Sequence, residues 1–338
     1  MTNIQVQYVR LGKSGLRVSV PIFGAMSIGS PKWMVIEENK ALEVLKAAWD
    51  RGINSFDTAN VYSNGESERI LAKFIEINKI PRNEILILTK CNALVHKDLS
   101  IYTPTRPELQ NTREYVNQAG LSRAAIFNAV EASLARLNTT YIDLLQIHRF
   151  DTRVEPEETM KALHDLVQSG KVRYIGASSM RTWQFALLNE VAGKNGWTKF
   201  VSMQNEYSLL YREEEREMNA YCNYHGIGII PWAPVARGFL ARPLEGEGTI
   251  RSETMSPSPT ESDKVIIKRV QEIAEKKGKT MAQVASAWVN AKVTSPIIGL
   301  SSEERVDEAV GINGITLTEE ETKYLEEPYE PKVVRGHA

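Results

Sequence analysis

Apolar residues recur along the chain in two periods that take turns. Stretches with apolar positions three and four residues apart read as amphipathic helices, and short apolar runs between them read as buried strands. Residues 38–51 carry Ala41, Leu42, Val44, Leu45, Ala48 and Trp49 on one stripe, with Gly52 where a helix would end. Ile53, Ser55 and Asp57 then alternate with Asn54, Phe56 and Thr58, so a strand is expected over 54–59. Asp57 would stand at its carboxyl end and Tyr62 in the loop beyond.

The same alternation continues downstream. Helices are expected over 66–77, 122–137, 156–169, 182–191, 213–224, 264–277, 281–290 and 303–310, and a last one over 317–327. Strands are expected over 20–27, 85–91, 142–149, 172–179, 200–206, 228–234 and 296–300. A hairpin around Gly12–Gly15 precedes them. The charged run Glu213–Glu217 reads as the solvated face of its helix. Two long polar stretches interrupt the pattern, 92–120 and the Gly/Pro/Ser/Thr-rich 237–263, and the latter is expected to be mobile. Loops of such length inside a compact domain usually serve function.

Strands that alternate with helices pair in parallel through right-handed crossovers. Eight such units after a hairpin favour a closed (β/α)8 barrel over an open sheet. Gly24 to Gly29 does not fit the Gly-x-Gly-x-x-Gly turn of an open dinucleotide-binding sheet. No linker divides the chain, so one domain is expected over residues 1–338.

Composition changes this picture little. With 338 residues, 42% hydrophobic and 25% charged, the chain can bury a large core as a soluble protein. A formal net charge of -1 argues against a general grip on nucleic acid or anionic lipid. No apolar run approaches the roughly 20 residues of a membrane span, and the first residues lack a signal-peptide core. Cys91 and Cys222 form no disulfide framework, and none of the five histidines sits in a His-x-His pair, so no metal is expected. A cytoplasmic location is expected. No coiled-coil seam marks an oligomeric state.

Four polar side chains fall at or just past expected strand ends: Asp57, Tyr62, Lys90 and His148. A barrel would bring those ends to one rim. A phenol is a poor acid at neutral pH, and a neighbouring ammonium favours its phenolate. A carboxylate would keep that ammonium charged, and an imidazole could hold a carbonyl oxygen. Together they describe a proton donor and oxyanion site for carbonyl reduction, with hydride from a cofactor.

Phe56-Asp-Thr-Ala-Asn-Val-Tyr62, Leu88-Thr-Lys90 and Asp143-Leu-Leu-Gln-Ile-His148 resemble the catalytic motifs of the aldo-keto reductase superfamily. The resemblance runs from Leu11 to about Ala309 and is nearest to the aryl-alcohol dehydrogenase-like branch. It implies that Tyr62 is the general acid, tuned by Lys90 and Asp57, and that His148 orients the carbonyl. It also implies NADPH bound in extended form. Ser178, Ser179 (where asparagine is usual) and Gln204 would hold the nicotinamide carboxamide, and Trp232 would stack on the ring. Ala233 replaces a common serine, and the backbone of Pro234, Val235, Ala236, Arg237 and Gly238 would cover the pyrophosphate. Gly299, Leu300, Ser302, Arg305, Glu308 and Ala309 resemble the adenosine-phosphate site, with Arg305 on the 2′-phosphate and Glu308 facing adenine. Gly24, Ala25 and Met26 would run along the nicotinamide side, near Asp57. The superfamily also contains potassium-channel β-subunits, so a cofactor-binding regulatory subunit is the alternative to a reductase. The walls of the substrate pocket would come from 27–35 with Trp33, from 92–120 and from the carboxyl tail; none carries a readable code for the substrate.

Overall fold

The computed structural model describes residues 5–29, 36–244 and 258–337. Trp33 with the rest of 30–35, and residues 245–257 of the expected mobile stretch, lie outside the described residues.

The hairpin comes first in the chain, β1 (Gln7–Arg10) against β2 (Arg17–Val20). Its turn needs glycine at position 12: φ is +58°, and a Cβ there would lie 2.3 Å from the Gly226 carbonyl oxygen. Leu11 and Val18 of this hairpin cluster with Ile22, Leu88, Leu144, Ile230 and Ile297, plugging one end of the sheet's interior.

Eight strands then pair in parallel: β3 (Ile22–Gly24), β4 (Ser55–Asp57), β5 (Leu86–Cys91), β6 (Ile142–Ile147), β7 (Val172–Ser178), β8 (Ser202–Gln204), β9 (Gly228–Ile229) and β10 (Ile297–Gly299). The ladder runs β10-β3-β4-β5-β6-β7-β8-β9. Its two ends meet, since the Ile297 N–H donates to Pro231 O and the Thr294 N–H to Ile229 O, both at 2.9 Å. The curled parallel sheet is the expected (β/α)8 architecture. Strands are shorter than the apolar runs that announced them, because the runs continue into loop backbone past the rim.

Ten helices surround the sheet among the described residues: α1 (Glu38–Asp50), α2 (Glu66–Ile77), α3 (Arg123–Arg136), α4 (Pro156–Gln168), α5 (Thr182–Lys194), α6 (Met218–His225), α7 (Glu261–Lys277), α8 (Met281–Asn290), α9 (Glu303–Val310) and α10 (Glu319–Glu326). Outward strand residues such as Phe23, Phe56, Ile87, Leu145 and Ile175 pack against them in the main core. Fully burying one such side chain contributes about 1.5–3 kcal/mol. No helix among the described residues is long and apolar enough to cross a membrane.

The expected helix over 213–224 breaks. Glu213–Glu215 forms a single 3-10 turn, Glu217 departs from helical geometry (φ -144°), and α6 starts at Met218. Nor is this run a solvated face. Glu213 and Glu214 are buried. The Tyr329 hydroxyl donates to Glu213 at 2.6 Å and the Lys332 N–H at 2.8 Å, while Asn205 and His337 reach Glu214 at 3.0 and 2.8 Å. The carboxylates turn inward because their partners come from Asn205 and from the end of the chain.

Strand alternation fixes which residues crown the barrel. Leu88 and Lys90 share one face of β5, as Leu144 and Gln146 do on β6. In register, Lys90 is opposite Gln146, Gln146 opposite Gly176, and Ser178 opposite Gln204. An apolar interior layer therefore gives way to a polar one at the carboxyl ends.

Candidate active site

Past β4 the chain keeps following β5, the Thr58 N–H donating to Leu88 O (2.8 Å) and the Asn60 N–H to Lys90 O (3.1 Å). It then turns tightly through Tyr62–Gly65, with Ser63 and Asn64 left-handed at φ 48° and 52°. Such a φ is uncommon outside glycine and asparagine, so something must hold the turn. Two asparagines do. Asn60 Nδ2 donates to Ala93 O at 3.1 Å, and Asn64 Nδ2 to Ile101 O at 2.8 Å and Asp98 O at 3.1 Å. The Tyr62 turn is thereby stapled to the long 92–120 segment. Neither asparagine stood out in the sequence, where turn asparagines are ordinary.

Lys90 rises from β5 into this turn. Its Nζ donates to Asp57 Oδ1 at 2.5 Å, to Thr58 O at 2.9 Å and to Tyr62 Oη at 3.4 Å. Lys90 and Asp57 are 1% and 2% exposed, so this is a buried ion pair rather than a surface one. Burial alone would lower the lysine pKa; the Asp57 carboxylate and the Tyr62 phenol outweigh it, and the net value lies above the ordinary one. The ammonium stays charged. Glu68 supports the strand from behind, taking a hydrogen bond from Thr89 Oγ1 and an ion pair from Arg136, each at 2.6 Å.

His148 follows β6, its N–H donating to Cys91 O at 2.8 Å. Its ring meets that of Tyr62 edge-on, centroids 5.9 Å apart. Burial, then the charges of Arg149 and Lys90, hold its pKa well below the usual imidazole range. A neutral imidazole keeps one N–H donor and one acceptor. The four residues singled out from the sequence thus stand on one rim. Cys91, next to Lys90, takes no part: burial pushes its thiol up to about 12.

Asp57 Oδ2 faces the other way, toward two glutamines. Gln146 Nε2 donates to it at 3.0 Å and Gln204 Nε2 at 2.9 Å, and Gln204 Nε2 also reaches Gln146 Oε1 at 2.9 Å. Gln204 was expected here, whereas Gln146 had no assigned part. The Ser178 hydroxyl donates to Gln204 O at 2.8 Å. Ser179, left-handed at φ 43°, accepts from Trp232 Nε1 at 3.1 Å, which fixes the indole beside the glutamines.

Beyond Trp232 the backbone coils tightly, with Ala233, Ala236, Arg237 and Gly238 all at positive φ and Pro234 buried. The Arg237 guanidinium lies 5.6 Å from the Trp232 ring centroid. Glu206 gathers Arg237 (3.4 Å) and, through both carboxylate oxygens, Arg335 (2.7 and 3.1 Å). On the opposite flank Gly24 ends β3, where a Cβ would stand 3.2 Å from Ile298 O; Ala25 is buried and Met26 is 45% exposed. Gly299 is exposed, and Leu300 and Ala309 pack in the core, leaving only their backbone for any ligand. Ser302 caps α9, accepting the Arg305 N–H at 3.3 Å, and the Arg305 guanidinium pairs with Glu308 at 2.6 Å.

Gln204 spends its N–H2 group on Asp57 and Gln146, so its Oε1 is left to accept, beside two hydroxyls and an indole face. Arg305 at a helix start suits an anionic group. An aromatic amide joined to phosphates, as in a nicotinamide dinucleotide, matches both clusters. Among the described residues no group of three or more His, Cys, Asp or Glu could hold a metal.

A family model described as the Aldo/keto reductase family matches residues 22–330. An aldo-keto reductase of Alternaria alternata is 53% identical over 98% of this chain and 94% of its own length. The versiconal hemiacetal acetate reductase of Aspergillus parasiticus is 49% identical over 97% of this chain and 98% of its own. A putative aryl-alcohol dehydrogenase of Saccharomyces cerevisiae is 45% identical, covering 97% and 98%.

Proposed function

The chain belongs to the aldo/keto reductase family, and on that premise we propose that it reduces an aldehyde or ketone to the alcohol with NADPH, Tyr62 giving the proton. The observation that carries this reading is the Lys90 ammonium, shared between Asp57 at 2.5 Å and the Tyr62 hydroxyl at 3.4 Å.

Bound NADPH supplies the hydride. Tyr62 Oη donates its proton to the carbonyl oxygen as that oxygen gains charge. Lys90, kept charged by Asp57, stabilises the phenolate that Tyr62 becomes, and it needs no reorganisation to do so. Neutral His148 donates an N–H to the same oxygen and sets the carbonyl's direction. Ser178, Ser179 and Gln204 would hold the carboxamide, and Trp232 would cover one face of the ring. Gly24, Ala25 and Met26 would line the nicotinamide side. The backbone from Pro234 to Gly238 would cover the pyrophosphate. Gly299, Leu300, Ser302 and Ala309 would border the adenosine-phosphate end, with Arg305 on the 2′-phosphate and Glu308 facing the adenine.

Aldehyde-dependent oxidation of NADPH, followed by absorbance across aromatic and aliphatic aldehydes, tests the reading. Turnover with NADPH supports it; cofactor binding with no turnover on any carbonyl would favour a regulatory subunit instead.

A further inference from the structure

We propose that Gln146 is a positioning residue of this site: it fixes the side-chain amide of Gln204 so that the nicotinamide carboxamide is tied to the Asp57 carboxylate. The inference rests on the reductase reading above and extends it to a residue with no part in proton or hydride transfer.

Three hydrogen bonds define one orientation. An ionised carboxylate only accepts, so both glutamines must turn their nitrogens to Asp57 Oδ2, at 3.0 Å from Gln146 and 2.9 Å from Gln204. Gln204 Nε2 spends its second proton on Gln146 Oε1 at 2.9 Å. Reversing the Gln204 amide would set its oxygen against two other oxygens. Its Oε1 is therefore turned away from Asp57 and left as an acceptor, whose natural partner is the N–H2 group of a primary carboxamide. Without Gln146, one Gln204 proton has no acceptor and half of the orienting force is gone.

The fold makes room for this contact. Gln146 and Ser202 are the register neighbours of Gly176 on either side. A Cβ on Gly176 would lie 3.2 Å from Gln146 Cγ and 2.3 Å from Ser202 Oγ. The bare glycine lets the glutamines of β6 and β8 meet across β7. Gln146, Gln204 and Asp57 are 0%, 2% and 2% exposed. At such burial a polar group without its partner costs about 1–3 kcal/mol, so the arrangement is held rather than sampled.

The test is a cycle between residue and ligand, read by tryptophan fluorescence on the purified full chain. NADP+ is compared with its acetylpyridine analogue, in which a methyl replaces the carboxamide N–H2. In Gln146→Met the Kd for NADP+ should rise about tenfold, the loss expected for one hydrogen bond at a buried site. The Kd for the analogue should stay within about twofold, because it has no N–H2 group for Gln204 Oε1 to hold. Gln146→Ser, smaller and open to water, should show the same selectivity and guards against misfolding of the first variant. With aldehyde present, kcat should fall while the carbonyl KM stays unchanged. Equal weakening of both ligands, or of neither, would overturn the inference while leaving the reductase reading in place. Wild-type protein that binds neither ligand would remove that reading and the inference with it.

Discussion

Replacing Lys90 with methionine perturbs the site at its electrostatic centre. The ion pair spans 2.5 Å, and both side chains are almost fully buried. At an effective dielectric near 20 the attraction amounts to about 6–7 kcal/mol, which offsets a desolvation cost of several kcal/mol for each ion. Lys90→Met removes the attraction and leaves Asp57 charged in the interior. Uncompensated buried charges cost about 3–5 kcal/mol. Here Asp57 Oδ2 keeps two amide donors, so the lower end, about 3 kcal/mol, is expected. A protein of ordinary stability, about 5–15 kcal/mol, stays folded with that loss. The double variant Asp57→Asn/Lys90→Met has no lone charge and should lose only about 1 kcal/mol. Urea unfolding of the wild type, both single variants and the double variant gives the coupling, expected to be about 2 kcal/mol or more. Additive losses, or a Lys90→Met variant as stable as wild type, would refute the reasoning.

Two further outcomes follow from the electrostatics and from the proposed cofactor contacts. His148 is held neutral in the fold while the unfolded chain takes up a proton below about pH 6.5, so stability should fall as pH drops from there toward the lowered folded value. The His148→Asn variant should lack up to about 1.4 kcal/mol per pH unit of that slope; urea midpoints with identical pH dependence in the two proteins would contradict it. Arg305→Ala should raise the Kd for NADPH by about 10–100-fold, the worth of a charge-assisted phosphate contact, and leave the Kd for NADH within about threefold; equal losses would count against a 2′-phosphate at Arg305.

The fold was legible because its elements advertise themselves locally. The stripe from Ala41 to Trp49 and the apolar run before Lys90 are each read from fewer than a dozen residues. Helices such as α2, α8 and α9 begin and end where the pattern places them. The meeting of Asp57, Tyr62, Lys90 and His148 was legible for a different reason: a lysine and a histidine at the ends of apolar strands are conspicuous, and a barrel has one rim to put them on. What stayed hidden depends on partners distant in sequence. Gln146 looks like a polar interruption of an apolar strand until Gly176 and Gln204 are seen beside it. Glu213 and Glu214 look like solvent-facing charges, yet Tyr329, Lys332 and His337 bury them from more than a hundred positions away. The grip of Asn60 and Asn64 on the 92–120 segment is invisible for the same reason, since no local rule distinguishes an asparagine that staples from one that only turns.

The central claim is that Tyr62 delivers the proton. Single-turnover oxidation of NADPH by an aldehyde, compared in wild type and Tyr62→Phe, examines it most directly. The expected result is a transfer rate lower by about 100-fold or more, the usual share of a general acid, with NADPH affinity unchanged. A Tyr62→Phe protein that reduces the aldehyde at the wild-type rate would contradict the account.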